Sequence, residues 1–276
     1  MIKWGFFISA YVLAITIGCK SIDTYPDTST PIYISNDHES TINADSSLTV
    51  ITFNITTGTS VSEVLKAIEN DKDFLSTDIL LLQEVNEDQV KAIARAFQLN
   101  YVYYPISKSR EDINFGNAIL ARTKINKPNK LILPHSKING RIRNATNCQL
   151  EINGKELLVY SIHNETMIMS NRKRRDQLNA ILQDILSKSV EPDAIIIGGD
   201  FNYICKKNLQ KEMEAFELIG FDWITKEIGS TKNTKFIIKG SLDHFAIKNL
   251  EPSGIKTLKD MTISDHHPVM ITIQND

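Results

Sequence analysis

From Leu48 to the C-terminus the hydrophobic positions switch repeatedly between two spacings. Short apolar runs, which suit strands covered on one or both faces, fall at Leu48–Ile55, Ile79–Val85, Tyr101–Tyr104, Asn117–Ala121, Ala145–Ile152, Leu157–His163, Ala194–Gly198, Leu242–Ile247 and Val269–Ile273. Between them lie stretches whose apolar residues are three and four apart, the spacing of one helix face. Ser60 and Glu63 form a capping-box pair that opens a helix to Ile68, and Asn86 with Gln89 opens another carrying Val90, Ile93, Ala94 and Phe97. Asn171–Leu186 carries Leu178, Ile181, Leu182 and Ile185 at core spacing. Strand-to-strand connections mixed with helical crossovers predict an α/β (α+β) chain of mixed sheets covered by helices, with function in the loops at strand ends.

The first residues break this pattern. Lys3 precedes an apolar run, Trp4 to Gly18, that is short for a bilayer span and suits a signal-peptide core. Thr16-Ile17-Gly18-Cys19 resembles a bacterial lipobox, with Thr16 where Leu is usual. Residues 1–18 are therefore read as a signal peptide and Cys19 as a lipidated mature N-terminus, anchoring the protein to a membrane of the cell envelope on its periplasmic or outer-surface side. Residues 19–47 are rich in Ser, Thr, Asp and Pro without sustained apolar periodicity, so they read as a flexible tether in which His38 is solvated. The folded domain is then 48–276. Cys148 and Cys205 are left to form one bridge or to stay apart as buried apolar residues.

Composition narrows the partners. The chain has 276 residues, of which 42% are hydrophobic and 23% charged, the balance of a globular protein. Lys and Arg total 31 against 33 Asp and Glu, so no global positive field gathers nucleic acid or acidic lipid, and a polyanion must be held by a local site. Arg141, Arg143 and the run Arg172-Lys173-Arg174-Arg175 are the notable basic groups; that run reads either as the solvated first turn of a helix or as a phosphate-tracking patch. Few aromatics interleave with these charges, which argues against a stacking platform for single strands. No motif points to a protein partner.

The candidate chemistry gathers at strand ends. Ile195 to Asn202 is an apolar strand that stops at Gly198 and Gly199 and then presents Asp200 and Asn202; an extended tip places those two on one face and Phe201 on the other. Leu80 to Val85 delivers Glu84 in the same way, and Ser264-Asp265-His266-His267-Pro268 sets an acid and an imidazole before the last strand. One acid at a strand end is usually a turn former. Asn54, Glu84, His163, Asp200, Asn202, Asp243, Asp265 and His266 all stand at or near such ends, where packing alone asks for nothing polar.

The ordered set Thr52-Phe53-Asn54, LLQEV at Leu81 to Val85, GNAIL at Gly116 to Leu120, SIH at Ser161 to His163, GGDFN at Gly198 to Asn202, SLDHF at Ser241 to Phe245 and SDHHPV at Ser264 to Val269 resembles the endonuclease/exonuclease/phosphatase superfamily. That group holds pancreatic-type deoxyribonucleases, abasic-site endonucleases, neutral sphingomyelinases and inositol-polyphosphate phosphatases. The resemblance implies a four-layer sandwich, two mixed sheets between helices, that hydrolyses phosphate esters with Mg²⁺ or Mn²⁺. It implies Glu84 and Asp265 as metal ligands with Asn54 alongside, Asp200 and Asn202 orienting water and phosphate, His266 as the catalytic histidine held by Asp243, and His163 at the phosphate. Asn117, with Arg141 and Arg143, is placed on the substrate side, while His244 and His267 are read as structural or substrate-edge residues.

Two carboxylates about 4 Å apart repel by about 4 kcal/mol at an effective dielectric near 20, so a cluster of Glu84, Asp200 and Asp265 needs a cation or a shared proton, and oxygen ligands select a hard ion. Asn164-Glu165 departs from the Leu and Asp that many relatives carry after the SIH motif. The expected activity is a phosphodiesterase with nucleic acid favoured as substrate over phospholipid or sugar phosphate. A catalytically silent binding lipoprotein is the reading from another class, disfavoured by the complete set of acids and histidines.

Overall fold

The computed structural model describes residues 22–39, 42, 47–109, 111–137, 139–166, 168–232 and 240–274. Its strands are β1 (Tyr33–Ser35), β2 (Leu48–Asn54), β3 (Ile79–Val85), β4 (Asn100–Lys108), β5 (Asn114–Ala121), β6 (Asn126–Leu133), β7 (Arg143–Ile152), β8 (Lys155–His163), β9 (Ala194–Asp200), β10 (Asp243–Lys248), β11 (Pro252–Thr257) and β12 (Val269–Ile273). Its helices are α1 (Val61–Ile68), α2 (Lys72–Leu75), α3 (Glu87–Phe97), α4 (Asn171–Leu186) and α5 (Lys206–Glu217). They build two mixed sheets, one ordered β1-β4-β5-β3-β2-β12-β11 and the other β10-β9-β8-β7-β6. Each sheet has a parallel pair, β2 with β3 and β8 with β9. A parallel pair needs a crossover, which α1 and α2 supply in the first and α4 in the second.

Strand alternation sorts the apolar side chains into three cores. Val50, Leu81, Val159, Ile196, Phe245 and Ile271 meet between the sheets. Ile51, Phe53, Leu80 and Leu82 face the other way, onto Val64 and Ile68 of α1 and Val90, Ile93 and Phe97 of α3. Leu158, Tyr160, Ile195 and Ile197 cover Leu178 and Ile181 of α4 and Leu209, Met213 and Phe216 of α5. The result is the expected helix–sheet–sheet–helix sandwich, with each fully buried aliphatic side chain contributing about 1.5–3 kcal/mol. The capping boxes at Ser60/Glu63 and Asn86/Gln89 both form.

The N-terminal segment departs from expectation. Over 22–39 the presumed tether is a strap laid on the domain: Lys108 N–H donates to the Asp23 carbonyl and Tyr25 N–H to that of Ile106, each at 2.9 Å. Tyr33–Ser35 pairs with β4, whose unpaired backbone groups would otherwise be an open edge. The Lys130 ammonium holds the strap from beneath, donating to the carbonyls of Thr30 at 2.7 Å and Tyr25 at 3.3 Å. His38 is part-buried, its backbone bonded to the Asn100 side chain. The signal-peptide reading of 1–18, the Cys19 lipidation site and residues 43–46 lie outside the described residues. Cys148 sits buried between the sheets and Cys205 is exposed, both as free thiols.

Candidate active site

At one end of the sandwich the inner-face positions change from apolar to polar. Val50 is followed on its face by Thr52 and Asn54, Leu81 by Gln83, Val159 by Ser161 and His163, Ile196 by Gly198 and Asp200, and Asp243 precedes Phe245. All these polar side chains are buried. The sheets meet here through a Gln83 Nε2 bond to Ser161 Oγ at 3.0 Å. Two glycines allow β9 to reach this end: a Cβ on Gly198 would lie 2.4 Å from the Phe245 ring, and one on Gly199 would lie 2.0 Å from the Ile162 carbonyl oxygen.

Glu84 reaches the site through a bulge. Straight alternation would send it outward with Leu80 and Leu82, but the register shifts between Leu82 and Val85, and Glu84 takes a φ of 59°. A left-handed residue at such a shift re-aims its side chain. The carboxylate now accepts from the Thr57 N–H at 3.0 Å and hydroxyl at 2.8 Å, with Oε1 3.7 Å from His163 Nε2. Asp265 is held by the adjacent residue, Thr56, whose hydroxyl donates to Oδ1 at 2.5 Å.

Asp200 is the centre of the buried network. Its Oδ2 accepts from Asn54 Nδ2 at 3.1 Å and Asn202 Nδ2 at 3.0 Å, and its Oδ1 from the Asn202 N–H at 2.9 Å. Asn202 is left-handed, with a φ of 56°, so it meets Asp200 by a turn rather than by an extended tip; Phe201 packs on the opposite side as expected. Burial, then the Asp243 and Glu84 carboxylates, push the Asp200 pKa up against the pull of His266 and Asn54. His266 Nδ1 is 2.8 Å from Asp243 Oδ2, which also accepts from the Thr231 hydroxyl at 2.7 Å. Burial opposes a charge on His266, but the Asp243 and Asp200 carboxylates outweigh it and raise its pKa to about 9.

His163 is held differently. Arg143 Nη1 lies 3.1 Å from Nδ1, and Arg143 Nη2 binds Glu165 Oε1 at 3.1 Å, which Lys137 also approaches at 2.9 Å. Guanidinium only donates, so Nδ1 accepts and the ring proton belongs on Nε2. Burial, Arg143, His266, Lys137 and Arg141 keep the His163 pKa well below its ordinary value. Nε2 is buried without a hydrogen-bond partner among the described residues, 3.6 Å from Asp200 Oδ2.

The other residues singled out in the sequence find varied partners. Arg143, expected at the phosphate, is buried and spends its donors on His163 and Glu165, because its partner acid sits beneath the sheet end. Asn117 points inward from the middle of β5 and ties the sheets, donating to the Asn144 carbonyl at 2.7 Å. Asn54 is bonded at both ends of its amide, to Asp200 and to the Thr56 N–H. Arg141 stacks 4.8 Å from the Phe115 ring centre. The Arg172–Arg175 run splits: Arg174 is buried over the Tyr203 ring and Arg175 pairs with Glu212, so neither a solvated turn nor a continuous patch describes it. His244 is structural, its Nδ1 accepting from Trp223 and its Nε2 facing the Ser241 carbonyl at 3.0 Å, and burial lowers its pKa to about 4. His267 Nδ1 meets the Met261 carbonyl at 3.1 Å.

Thr231 and Lys232 border the site, and no motif in the sequence singles them out. They come from a polar stretch with no periodicity, and only folding brings them to Asp243, Asp265 and His266.

The donor set fits a hard cation. Ligand atoms of Asp200, Asp243 and His266 lie within 4.8 Å of one another, with Glu84 beside His163 and Asp265 next to His266 at the rim. Asp243 is engaged through Oδ2 with His266 Nδ1, but its Oδ1 is buried without a hydrogen-bond partner among the described residues, so it too could offer an oxygen to an ion beside Asp200. The partnerless His163 Nε2 beside them suits an incoming anionic oxygen.

A model of the endonuclease/exonuclease/phosphatase family matches residues 41–266, and the chain belongs to that family. With its buried cluster of acids and histidines it is a phosphoester hydrolase of that family. No curated protein matches the sequence. An endonuclease/exonuclease/phosphatase family protein from Leptotrichia buccalis has the same fold, with a TM-score of 0.67 at 15% identity over 82% of this chain and 99% of that one. A mannosyl-6-phosphatase from Bacteroides thetaiotaomicron is similar at 0.66 and 18% over 82% and 99%. So is D. rerio TDP2 complexed with single-strand DNA product, at 0.63 and 17% over 83% and 100%.

Proposed function

We propose that the protein is a Mg²⁺- or Mn²⁺-dependent phosphodiesterase acting on nucleic acid outside the cytoplasm. The observation that carries the hydrolytic reading is the facing pair of histidines in opposite states. His266, bonded to Asp243 through Nδ1, is the basic member, whose Nε2 accepts a proton once a cation at the acids weakens the hold of Asp243 and Asp200 on the imidazolium, and His163, bonded to Arg143, offers Nε2–H as a donor. Asp200 Oδ2 lies 3.7 Å from the first and 3.6 Å from the second. A water between Asp200 and His266 gives its proton to Nε2 as it attacks phosphorus, and Asp243 stabilises the imidazolium that forms. The bond to the leaving oxygen breaks on the opposite side, and that oxygen takes a proton from solvent. His163 Nε2–H binds a phosphoryl oxygen. Glu84 and Asp265, with Asp200, would hold a divalent ion, which would supply charge stabilisation at the phosphate.

Charge around the site shapes the substrate. The groove beyond Glu84 is lined by Glu87, Asp88, Glu111 and Asp112 with Lys108, which repels a polyanion. Lys137 lies on the His163 side, and it and Lys173 line a neighbouring cleft of about 390 Å³. The nucleic acid is therefore engaged at an end or a single phosphate rather than along a duplex. The acidic groove favours a second reading, a compact sugar-phosphate or lipid headgroup ester, in line with the mannosyl-6-phosphatase of similar fold. The test is turnover with Mg²⁺ on single- and double-stranded DNA, RNA, sugar phosphates, sphingomyelin, phosphoinositides and an aryl phosphodiester. Preference for single-stranded ends supports the first reading and preference for a small ester the second; no metal-dependent hydrolysis of any substrate overturns both. The envelope location rests on Cys19, and Cys19→Ala that fractionates with membranes like the parent removes the lipid anchor.

A further inference from the structure

Lys232 stands where two separate jobs meet. Its backbone bridges to His266, and the His267 N–H donates to the Thr231 carbonyl at 2.7 Å. Thr231 is itself anchored, its hydroxyl accepting from the N–H groups of Leu242 and Asp243 while donating to the Asp243 carboxylate. Lys232 is therefore placed by the same pairing that places His266. The side chain is only 19% exposed, so it is no freely solvated lysine.

The single ammonium makes two contacts. It pairs with Asp265 Oδ2 and lies 3.1 Å from His266 Nε2. The second contact sets the ammonium against the very atom that must take a proton from water, where its charge opposes that proton and its bulk blocks the water. The first contact occupies a carboxylate that the metal reading assigns to the divalent ion. Two cations drawn to one carboxylate exclude each other by charge, and close approach raises their repulsion.

We propose that Lys232 is an internal competitor of the divalent ion for Asp265, and that its displacement by the ion frees Nε2 of His266 for proton transfer. Metal binding and release of the general base become one event. In metal-free protein the ammonium stands where the ion's positive charge would be, which keeps the acid cluster from repelling itself. The inference rests on the metal reading of the site and adds to it the order in which the parts are used.

The test is binding. Mn²⁺ affinity is measured by electron paramagnetic resonance for the parent, Lys232→Met, Lys232→Gln and Lys108→Met; Lys108 pairs with Asp112 in the neighbouring groove and controls for general charge. Both Lys232 variants should bind Mn²⁺ on the order of tenfold more tightly, the factor one partly screened charge contact supplies, and in chelator both should melt below the parent. Lys108→Met should change affinity much less. In histidine-¹⁵N-labelled protein, saturating Mg²⁺ should shift the His266 Nε2 resonance in the parent by more than in Lys232→Gln, which has no ammonium for the ion to displace. Unchanged or weakened Mn²⁺ binding in both Lys232 variants, an equal gain in Lys108→Met, or a His266 signal that ignores Mg²⁺ overturns the proposal. A parent that binds no Mn²⁺ fails earlier, because it removes the metal reading itself.

Discussion

Arg143 decides what His163 can do. Most working histidines are oriented by a carboxylate or carbonyl, which leaves them free to become positive; this one is backed by a guanidinium at 3.1 Å. With burial added, the ring stays neutral and its proton stays on Nε2. That makes His163 a fixed donor rather than a proton shuttle. Arg143→Lys keeps the charge that Glu165 needs but loses the planar fork that spans both partners. By analogy with partners that orient metal-bound histidines, kcat/KM should fall about 10- to 100-fold. The imidazole should also titrate closer to its ordinary value, seen by NMR. A variant with parental turnover and an unchanged His163 titration would show that Arg143 is packing and nothing more.

The elements that positioned the site were the easiest to read in the sequence. β2, β3, β8, β9 and β12 are buried on both faces or nearly so, and such strands write themselves as unbroken apolar runs. β1, β6 and β11 were not anticipated, and each is at a sheet edge. An edge strand covers less of itself, tolerates Pro128 in β6, and in β11 shows only Pro, Ser, Gly, Ile, Lys and Thr. α5 was missed for want of a side-chain cap at Cys205, although Leu209, Met213 and Phe216 keep helical spacing. The acids and histidines of the site were legible as types. What they point at was not, because a bulge at Glu84, a left-handed Asn202 and the Thr231-Lys232 loop leave no periodic trace. The tight entry of β9 carries a prediction at this scale: Gly199→Ala forces a Cβ 2.0 Å from the Ile162 carbonyl at a φ of 150°. β8 and β9 must part, at a cost of about 3 kcal/mol or more from strain and overpacking. Urea unfolding should show it, and a loss under about 1 kcal/mol would mean that the pair relaxes without harm.

At the scale of the molecule, the buried charges make stability depend on pH in opposite senses on two sides of neutrality. His163 and His244 are held neutral, with pKa values below the ordinary 6.5, in His244 about 4. Between those values the unfolded chain binds more protons than the folded one. Their stabilisation is complete above about pH 6.5 and is lost as pH falls, on the order of 3 kcal/mol for His244 by pH 4. His266 runs the other way: raised to about 9, it contributes fully below 6.5 and loses that contribution as pH rises through 9. Asp200, raised by burial and its neighbours to about 7, loses its contribution between about pH 4 and 7 as it ionises among Asp243 and Glu84, which blunts the acid arm. Melting temperature in chelator should therefore peak near pH 6.5. A ligand of the native state stabilises in proportion to how far its concentration exceeds its Kd, and the carboxylates bind a cation best when all are ionised. Added Mg²⁺ should consequently raise the melting temperature more at pH 8 than at pH 6, flattening the alkaline arm and leaving the acid arm, which belongs to His163 and His244, as it was. Thermal melts at both values, with and without Mg²⁺, decide it: an equal shift at pH 6 and pH 8 would place the ion away from the buried acids.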